Sequence, residues 1–498
     1  MKISRWGKGL RTIQKGGVVT FTMLLSACAT DSLSLAPPSP SASWDQVTPT
    51  RSAVNLSDAL AGSEHTLEQM PIQVFNPRHA YELPELIDIA EKLNPDTRIA
   101  WEQSKQAALA AGITEATLLP LLSATVVGGY QRTRSPLPYS IAGYHDLDTT
   151  DSTVIPAIGL QWLLFDFGQR SALVKAAQEN TFATNASFNG THQKIIFNVT
   201  RAYYMYGAAL IHTKNTAEMM KNSQQILNAA EERNKNGIAT IIEVSQAKQL
   251  VAQSKLNHVM AQGQERDRWQ ALLAATGISP FAHIKVAFDD ETPLPARLSP
   301  PTETAIKLAL SRRPDIQAGY AAVEAARSTV KATEVDFLPK IYLAGVIAGG
   351  HGRFDTEGLP AATPHTSSSG IVLGVSMPIY DGGIRAARVQ EAESRFNVAR
   401  DGLQKTQDIA LREIVVASDT LRSALESNDA SIHLVKTASV TFDAASDAYR
   451  NGIGTITQAF EAANGLLDAQ QISADARSAA FIAAANLAFT MGEITRSQ

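Results

Sequence analysis

The chain has 498 residues and a formal net charge of −4, with an isoelectric point near 6.2, so it carries no basic footprint for nucleic acid. Charged residues make up only 18% and aromatics 6%, a balance that suits long helices packed through small side chains. A single cysteine excludes an intrachain disulfide or thiolate cluster, and no HExxH, P-loop, GxSxG or Rossmann fingerprint occurs, so neither catalysis nor a metal or other cofactor is expected.

Residues 1–27 read as a signal peptide: Lys2, Arg5, Lys8, Arg11 and Lys15 precede an apolar stretch from Val18 to Leu25. Leu25-Ser26-Ala27-Cys28 then reads as a lipobox, with Cys28 as the site of lipid attachment. Ordinary cleavage after Ala27-Cys28-Ala29 is the alternative, and it would discard the thiol. Ser, Pro and Thr dominate the residues that follow, so 28–82 is expected to be a lipid anchor and extended tether.

Helical patterning begins near Pro84, where Leu86, Ile89, Ala90 and Leu93 share a face. A longer helix over 96–118 stops at Pro120, and the period then changes to two. Residues 121–130 predict a strand, 131–153 a surface loop rich in Pro, Gly, Ser and Asp, and 158–164 a second strand whose Ile158, Leu160, Trp162 and Leu164 form one face. No proline occurs from Ala157 to Ser279, and residues 169–235 predict an unbroken helix of about 100 Å that turns back at Asn236-Gly237.

The same order then recurs. Asn94-Pro95-Asp96 returns as Arg313-Pro314-Asp315 and Leu119-Pro120 as Leu338-Pro339, at an offset of 219 residues. Phe165-Asp166-Phe167-Gly168 returns as Tyr380-Asp381-Gly382-Gly383, and Asn236-Gly237-Ile238-Ala239-Thr240 as Asn451-Gly452-Ile453-Gly454-Thr455, at an offset of 215. The chain therefore divides into one unit at 83–280, a linker at 281–300 and a second unit at 301–498. In the second, strands are expected at 340–349 and 371–379, with Ile371, Leu373, Val375, Met377 and Ile379 on one face, and a loop at 351–367. His145, His351 and His365 read as solvated loop residues rather than metal ligands.

Strands of about ten residues with an apolar face suit a lipid-facing barrel, although a soluble sandwich shows the same period. Neither long helical run holds about twenty consecutive apolar residues, so neither predicts a transmembrane helix. Hairpins this long must bury their apolar stripes against other hairpins, in a coiled-coil manner.

With the duplication, the Leu310-Ser311-Arg312-Arg313-Pro314-Asp315-Ile316 run and Leu466-Leu467-Asp468-Ala469-Gln470 after the second turn, residues 83–492 resemble the TolC family of outer-membrane efflux proteins, in its lipid-anchored, drug-exporting branch. The resemblance implies an α+β membrane protein of the Gram-negative outer membrane. Three chains would supply four strands each to one β-barrel, continued by a coiled-coil α-helical tunnel through the periplasm. It implies passive export of drugs or small toxic compounds, with a homotrimer, outer-membrane lipid, a periplasmic adaptor protein and, indirectly, an inner-membrane transporter as partners. Gly237, Ile238, Gly452 and Ile453 would meet the adaptor. Glu461 would match a constriction carboxylate, and Glu243 and Tyr449 the partners of a closing hydrogen bond. Two positions depart from the family pattern: Gln458 stands where a second acidic residue is usual, and Gly454 where an arginine often joins the lock. A channel for type I protein secretion and a lipid-anchored periplasmic scaffold without a pore are the competing readings.

Overall fold

Both halves of the chain build the same series of elements in the computed structural model, which describes residues 36–42, 75–76, 78–141, 144–288, 292–295, 302–356 and 360–494. The signal segment and Cys28 lie outside the described residues, as does most of the tether. In the first half, β1 (Ala80–Tyr81), α1 (Leu83–Leu93) and α2 (Pro95–Ala116) precede β2 (Leu121–Ile141) and β3 (Tyr144–Phe165). The helical hairpin α3 (Gln169–Lys235) and α4 (Ile241–Thr276) follows, then β4 (Lys285–Val286) in the linker. The second half repeats this as α5 (Glu303–Arg312), α6 (Pro314–Glu334) with a 3-10 turn at Val335–Phe337, β5 (Lys340–Thr356), β6 (His365–Ser376), α7 (Ile384–Arg450) and α8 (Ile456–Thr490). Among the described residues no helix is long and apolar enough to cross a membrane.

The chain separates into two compact units, one containing residues 106–181 and 321–400, the other 36–105, 182–320 and 401–498. The first holds an antiparallel sheet of order β2-β3-β5-β6. Its register places Leu122, Leu160, Gly345 and Ile371 in one row and Trp162, Leu343 and Leu373 in the next. The apolar positions of both halves therefore share one face, because paired residues in a ladder point the same way. Gly159, Gln161, Ala344 and Gly370 lie on the opposite face.

Two expectations about the sheet are corrected. Residues 131–153 and 351–367 are mostly strand rather than loop: the β2–β3 ladder continues to Pro136↔Asp146, and β5–β6 pairs out to His351↔His365. Cross-strand ion pairs hold the outer part of the first hairpin, with Arg132 Nε donating to Asp148 at 2.9 Å and Arg134 Nη2 to Asp146 at 2.7 Å. The fourth strand also ends at Ser376 rather than 379, since its partner strand starts at Lys340. Beyond that rung stand Pro339 and Pro378, neither of which has an N–H to donate.

A duplicated device joins each sheet pair to its long helix. Asp166 accepts from the backbone N–H of Gly168 at 3.2 Å and from Arg170 Nε at 2.7 Å; Asp381 does the same with Gly383 at 3.1 Å and Arg385 at 2.7 Å. Burial works against the Asp166 charge, but the Arg170 guanidinium and these backbone donors hold its carboxyl below the usual carboxylate range. Arg170 reaches further, donating to the carbonyls of Thr117 at 2.7 Å and Leu163 at 2.6 Å, the latter at the irregularity that ends the β3–β5 ladder. Phe167 sits at φ +53 where the second half has Gly382 at φ +67.

The second unit buries its apolar side chains along the helical hairpins. One cluster joins Ile195, Val199 and Tyr203 of α3 to Leu86, Ala90, Leu272 and Leu273. Another joins Ala417, Leu421 and Leu425 of α7 to Ala480, Ala483 and Leu487 of α8. The linker is strapped onto α3: the Tyr203 hydroxyl donates to Ala287 O at 2.7 Å, and Phe288 fills the space above Gly207, where any Cβ would come within 1.9 Å of its ring. Gly277 and Gly492 end α4 and α8 in the left-handed conformation at φ +72 and +69. A Cβ at Gly277 would lie 2.9 Å from Asn94 Cα, and one at Gly492 3.1 Å from Arg312 C, so both helix ends press on the junction of the short and longer helices.

Candidate functional site

The two hairpin turns are built alike. Gly237 and Gly452 take φ +72 and +79, which lets the chain reverse while the final carbonyls stay bonded. Arg233 O accepts from Ile238 and Ala239 N at 2.9 and 3.2 Å; Ala448 O accepts from Ile453 and Gly454 N, both at 3.0 Å. Thr240 and Thr455 then cap the returning helices, in reciprocal pairs with Glu243 and Gln458. Thr240 N donates to Glu243 Oε1 at 3.3 Å, and Thr455 N to Gln458 Oε1 at 3.0 Å. A capping box needs an acceptor rather than a charge, so Gln458 preserves the cap while removing one carboxylate from the second turn.

Gly237, Ile238, Gly452 and Ile453 all lie on the surface of these turns, with Ile238 64% and Ile453 86% exposed. In the first turn Ile241 and Ile242 are exposed as well. Behind the turns α3, α4, α7 and α8 share one core, to which Met219, Ile226, Val244, Leu250, Ile456 and Leu467 belong together with Tyr449, itself only 1% exposed.

Tyr449 is gripped by a residue that the sequence reading did not single out. The Arg233 guanidinium carbon lies 4.7 Å from the Tyr449 ring centroid, and Arg233 Nη1 donates to the Tyr449 carbonyl. The Tyr449 hydroxyl has no hydrogen-bond partner among the described residues, and neither has Arg233 Nε. Burial and then the nearby charge of Glu243 push the phenol above its ordinary range, Arg233 acts in the opposite sense, and the approach of the Glu243 carboxylate to the hydroxyl adds a smaller upward contribution. Glu243, half-buried, thus faces the hydroxyl while capping its own helix. Glu461 is exposed on α8 and makes no hydrogen bond or ion pair among the described residues. The structure therefore brings Glu243, Tyr449 and Arg233 together and leaves Glu461 on its own. The one sequence signal for Arg233 is a break in the duplication, since its counterpart 215 residues on is Ala448.

Farther along the hairpins, His212 Nε2 lies 3.1 Å from Asp475 Oδ1 and ties α3 to α8. Its hydrogen bond to Asp475, opposed by burial, holds the imidazole above its usual pKa. Among the described residues no cluster of His, Cys, Asp and Glu could hold a metal ion.

The profile of the outer membrane efflux protein family matches residues 86–278 and 305–493. The antibiotic efflux pump outer membrane protein ArpC of Pseudomonas putida is 25% identical over 403 residues, 79% of each chain. The toxin and drug export protein A of Aggregatibacter actinomycetemcomitans is 24% identical over 336 residues, 67% of this chain and 69% of its own. Among solved structures, the Campylobacter jejuni CmeC outer membrane channel superposes with a TM-score of 0.71 at 19% identity, covering 84% of this chain and 87% of its own.

Proposed function

Because this chain belongs to the outer membrane efflux protein family, we propose that three copies form one outer-membrane channel, through which drugs or small toxic compounds leave the cell. The sheet carries this reading. Four strands of 12 to 22 residues are long enough to cross a bilayer, which takes about 9–11 residues per strand. Four strands cannot close a pore, because the smallest membrane barrels use about eight. Strands β2 and β6 are the sheet's two edges, so β6 of one chain can pair with β2 of the next until three chains close a ring of twelve.

The helices support the same arrangement. Within the chain α3 meets α8, where Tyr204 stacks on Phe481 at 4.4 Å and Phe197 on Phe489 at 5.3 Å. By the duplication, α7 and α4 carry the equivalent faces. Those faces expose apolar side chains, Val416 and Val440 on α7 and Leu256 and Met260 on α4. Leu256 and Met260 correspond to Gln471 and Asp475, which touch His212 within the chain. A neighbouring copy would cover them.

In this reading the channel works by conduction. The exposed turns at Gly237, Ile238, Gly452 and Ile453 would receive a periplasmic adaptor that couples an inner-membrane transporter. The core around Tyr449, Arg233 and Glu243 would hold the mouth narrow, and three exposed Glu461 carboxylates would favour cations there. The names of the relatives above support drugs and toxins as cargo. Ion conductance of the purified protein in a planar bilayer, with its mass in detergent, tests the proposal. A conducting trimer is expected; a monomer without conductance would leave only the scaffold reading.

A further inference from the structure

At the start of the first long helix a cavity of about 360 Å³ opens between the first turns of α3 and the end of α6. Phe167, Ser171 and Lys175 line one side, and Ser328, Lys331 and Glu334 the other. Ser328 is only 4% exposed, yet it makes no hydrogen bond among the described residues, so its hydroxyl is left for whatever fills the cavity. Lys175 and Lys331 make no ion pair among the described residues either. The positive end of a 67-residue helix adds to this field.

The duplication shows that the fold does not require this lining. The counterpart of Lys175 is Gln390, that of Lys331 is Gly112 and that of Ser328 is Leu109. Two cations and a buried hydroxyl have been assembled at one of two equivalent junctions. The surroundings say what kind of anion fits. Phe167 meets Phe165 edge to face at 4.8 Å, and Phe165 pairs with Ile341 at the end of the sheet's apolar face. The cavity therefore sits where hydrocarbon would give way to a polar boundary. Glu334 on the rim supplies an anion among the cations, which suits an occupant that carries an ammonium beside its phosphate.

We propose that this cavity binds the headgroup of an ethanolamine glycerophospholipid, its phosphate held by Lys175, Lys331 and Ser328 and its ammonium by Glu334. The inference rests on the membrane-channel reading above. It is tested by native mass spectrometry of the full-length protein titrated with dioleoyl-phosphatidylethanolamine, with dioleoylglycerol and with inorganic phosphate. Wild type is expected to retain the phospholipid and not the diacylglycerol. Lys175→Gln with Lys331→Gln should weaken retention about tenfold or more, as loss of charge-assisted hydrogen bonds implies, while Gln390→Ala at the other junction should not. Equal retention of diacylglycerol, displacement of the lipid by inorganic phosphate, or wild-type retention by the double variant would each overturn the proposal. Bilayer conductance is recorded on the same preparations. A conducting trimer that ignores the phospholipid removes this inference alone, whereas a non-conducting monomer removes the channel reading with it.

Discussion

Arg233, two residues before the end of the first long helix, lays its guanidinium over the ring of Tyr449, one residue before the end of the other. The repeat does not relate the two: the counterpart of Arg233 is Ala448 and that of Tyr449 is Asn234. The tips are thus joined by a contact that exists once per chain.

That contact separates two variants. Tyr449→Phe removes a buried hydroxyl that bonds to nothing among the described residues, so stability should change by less than about 1 kcal/mol and conductance should stay near wild type. Arg233→Ala removes a cation–π contact worth about 0.5–2 kcal/mol and a bond to the Tyr449 carbonyl. Its single-channel conductance should rise. Equal conductance in the two variants would show that the guanidinium does not hold the mouth.

The two arginines at the helix starts should differ in weight. Arg170→Ala strands a largely buried Asp166 and frees the carbonyls of Thr117 and Leu163, at a cost of about 3 kcal/mol. Arg385→Ala breaks an equivalent pair whose carboxylate is more exposed, and Arg385 otherwise stacks on Phe337 at 4.9 Å. Thermal dissociation of the oligomer on a gel should fall further for Arg170→Ala. Because the Asp166 carboxyl is held low, its stabilisation is present above an unfolded pKa of about 3.9 and is lost as pH drops through the lower folded value.

His212 gives a pH dependence of the opposite sign. Its folded pKa is raised by Asp475, so its contribution is complete below the unfolded value of about 6.5 and disappears as pH rises through the folded one. Asp475 is well exposed, which keeps the effect under about 1 kcal/mol. The stability gap between wild type and Asp475→Asn should therefore be wider at acidic pH than at alkaline pH. A gap that does not change with pH would assign Asp475 a role independent of His212.

On the sheet, Leu160→Arg and Leu373→Arg should each cost about 2–4 kcal/mol near the bilayer midplane. Gln161→Arg, on the opposite face, should leave oligomer yield intact. Yields that fall equally on both faces would count against a barrel with lipid on one side.

The long helices were the most legible part of the sequence. Residues 169–235 are predicted and observed with the same bounds, because no proline interrupts them and Asn236-Gly237 supplies the left-handed turn that ends them. The strands were legible only where they alternate. From Gln131 to Thr153 the chain is polar and contains prolines, so local pattern predicts a loop, yet antiparallel pairing and the Arg132–Asp148 and Arg134–Asp146 pairs carry the ladder onward. At the tips the turn glycines follow from backbone geometry alone. Arg233 does not, since its contact with Tyr449 joins residues 216 positions apart and has no echo in the second copy.

The matched arms of the hairpins restrict how this protein can change length. Helices α3 and α7 each have 67 residues, and α4 and α8 have 36 and 35. Deleting one residue from any arm would turn everything beyond it by about 100° and swing its buried stripe toward solvent. Deleting seven turns it by only about 20° and shortens the arm by about 10 Å. Both hairpins must change together if their turns are to stay level, so a relative adapted to a narrower periplasm should have lost near-heptad blocks from all four arms, with the sheet and its junctions untouched.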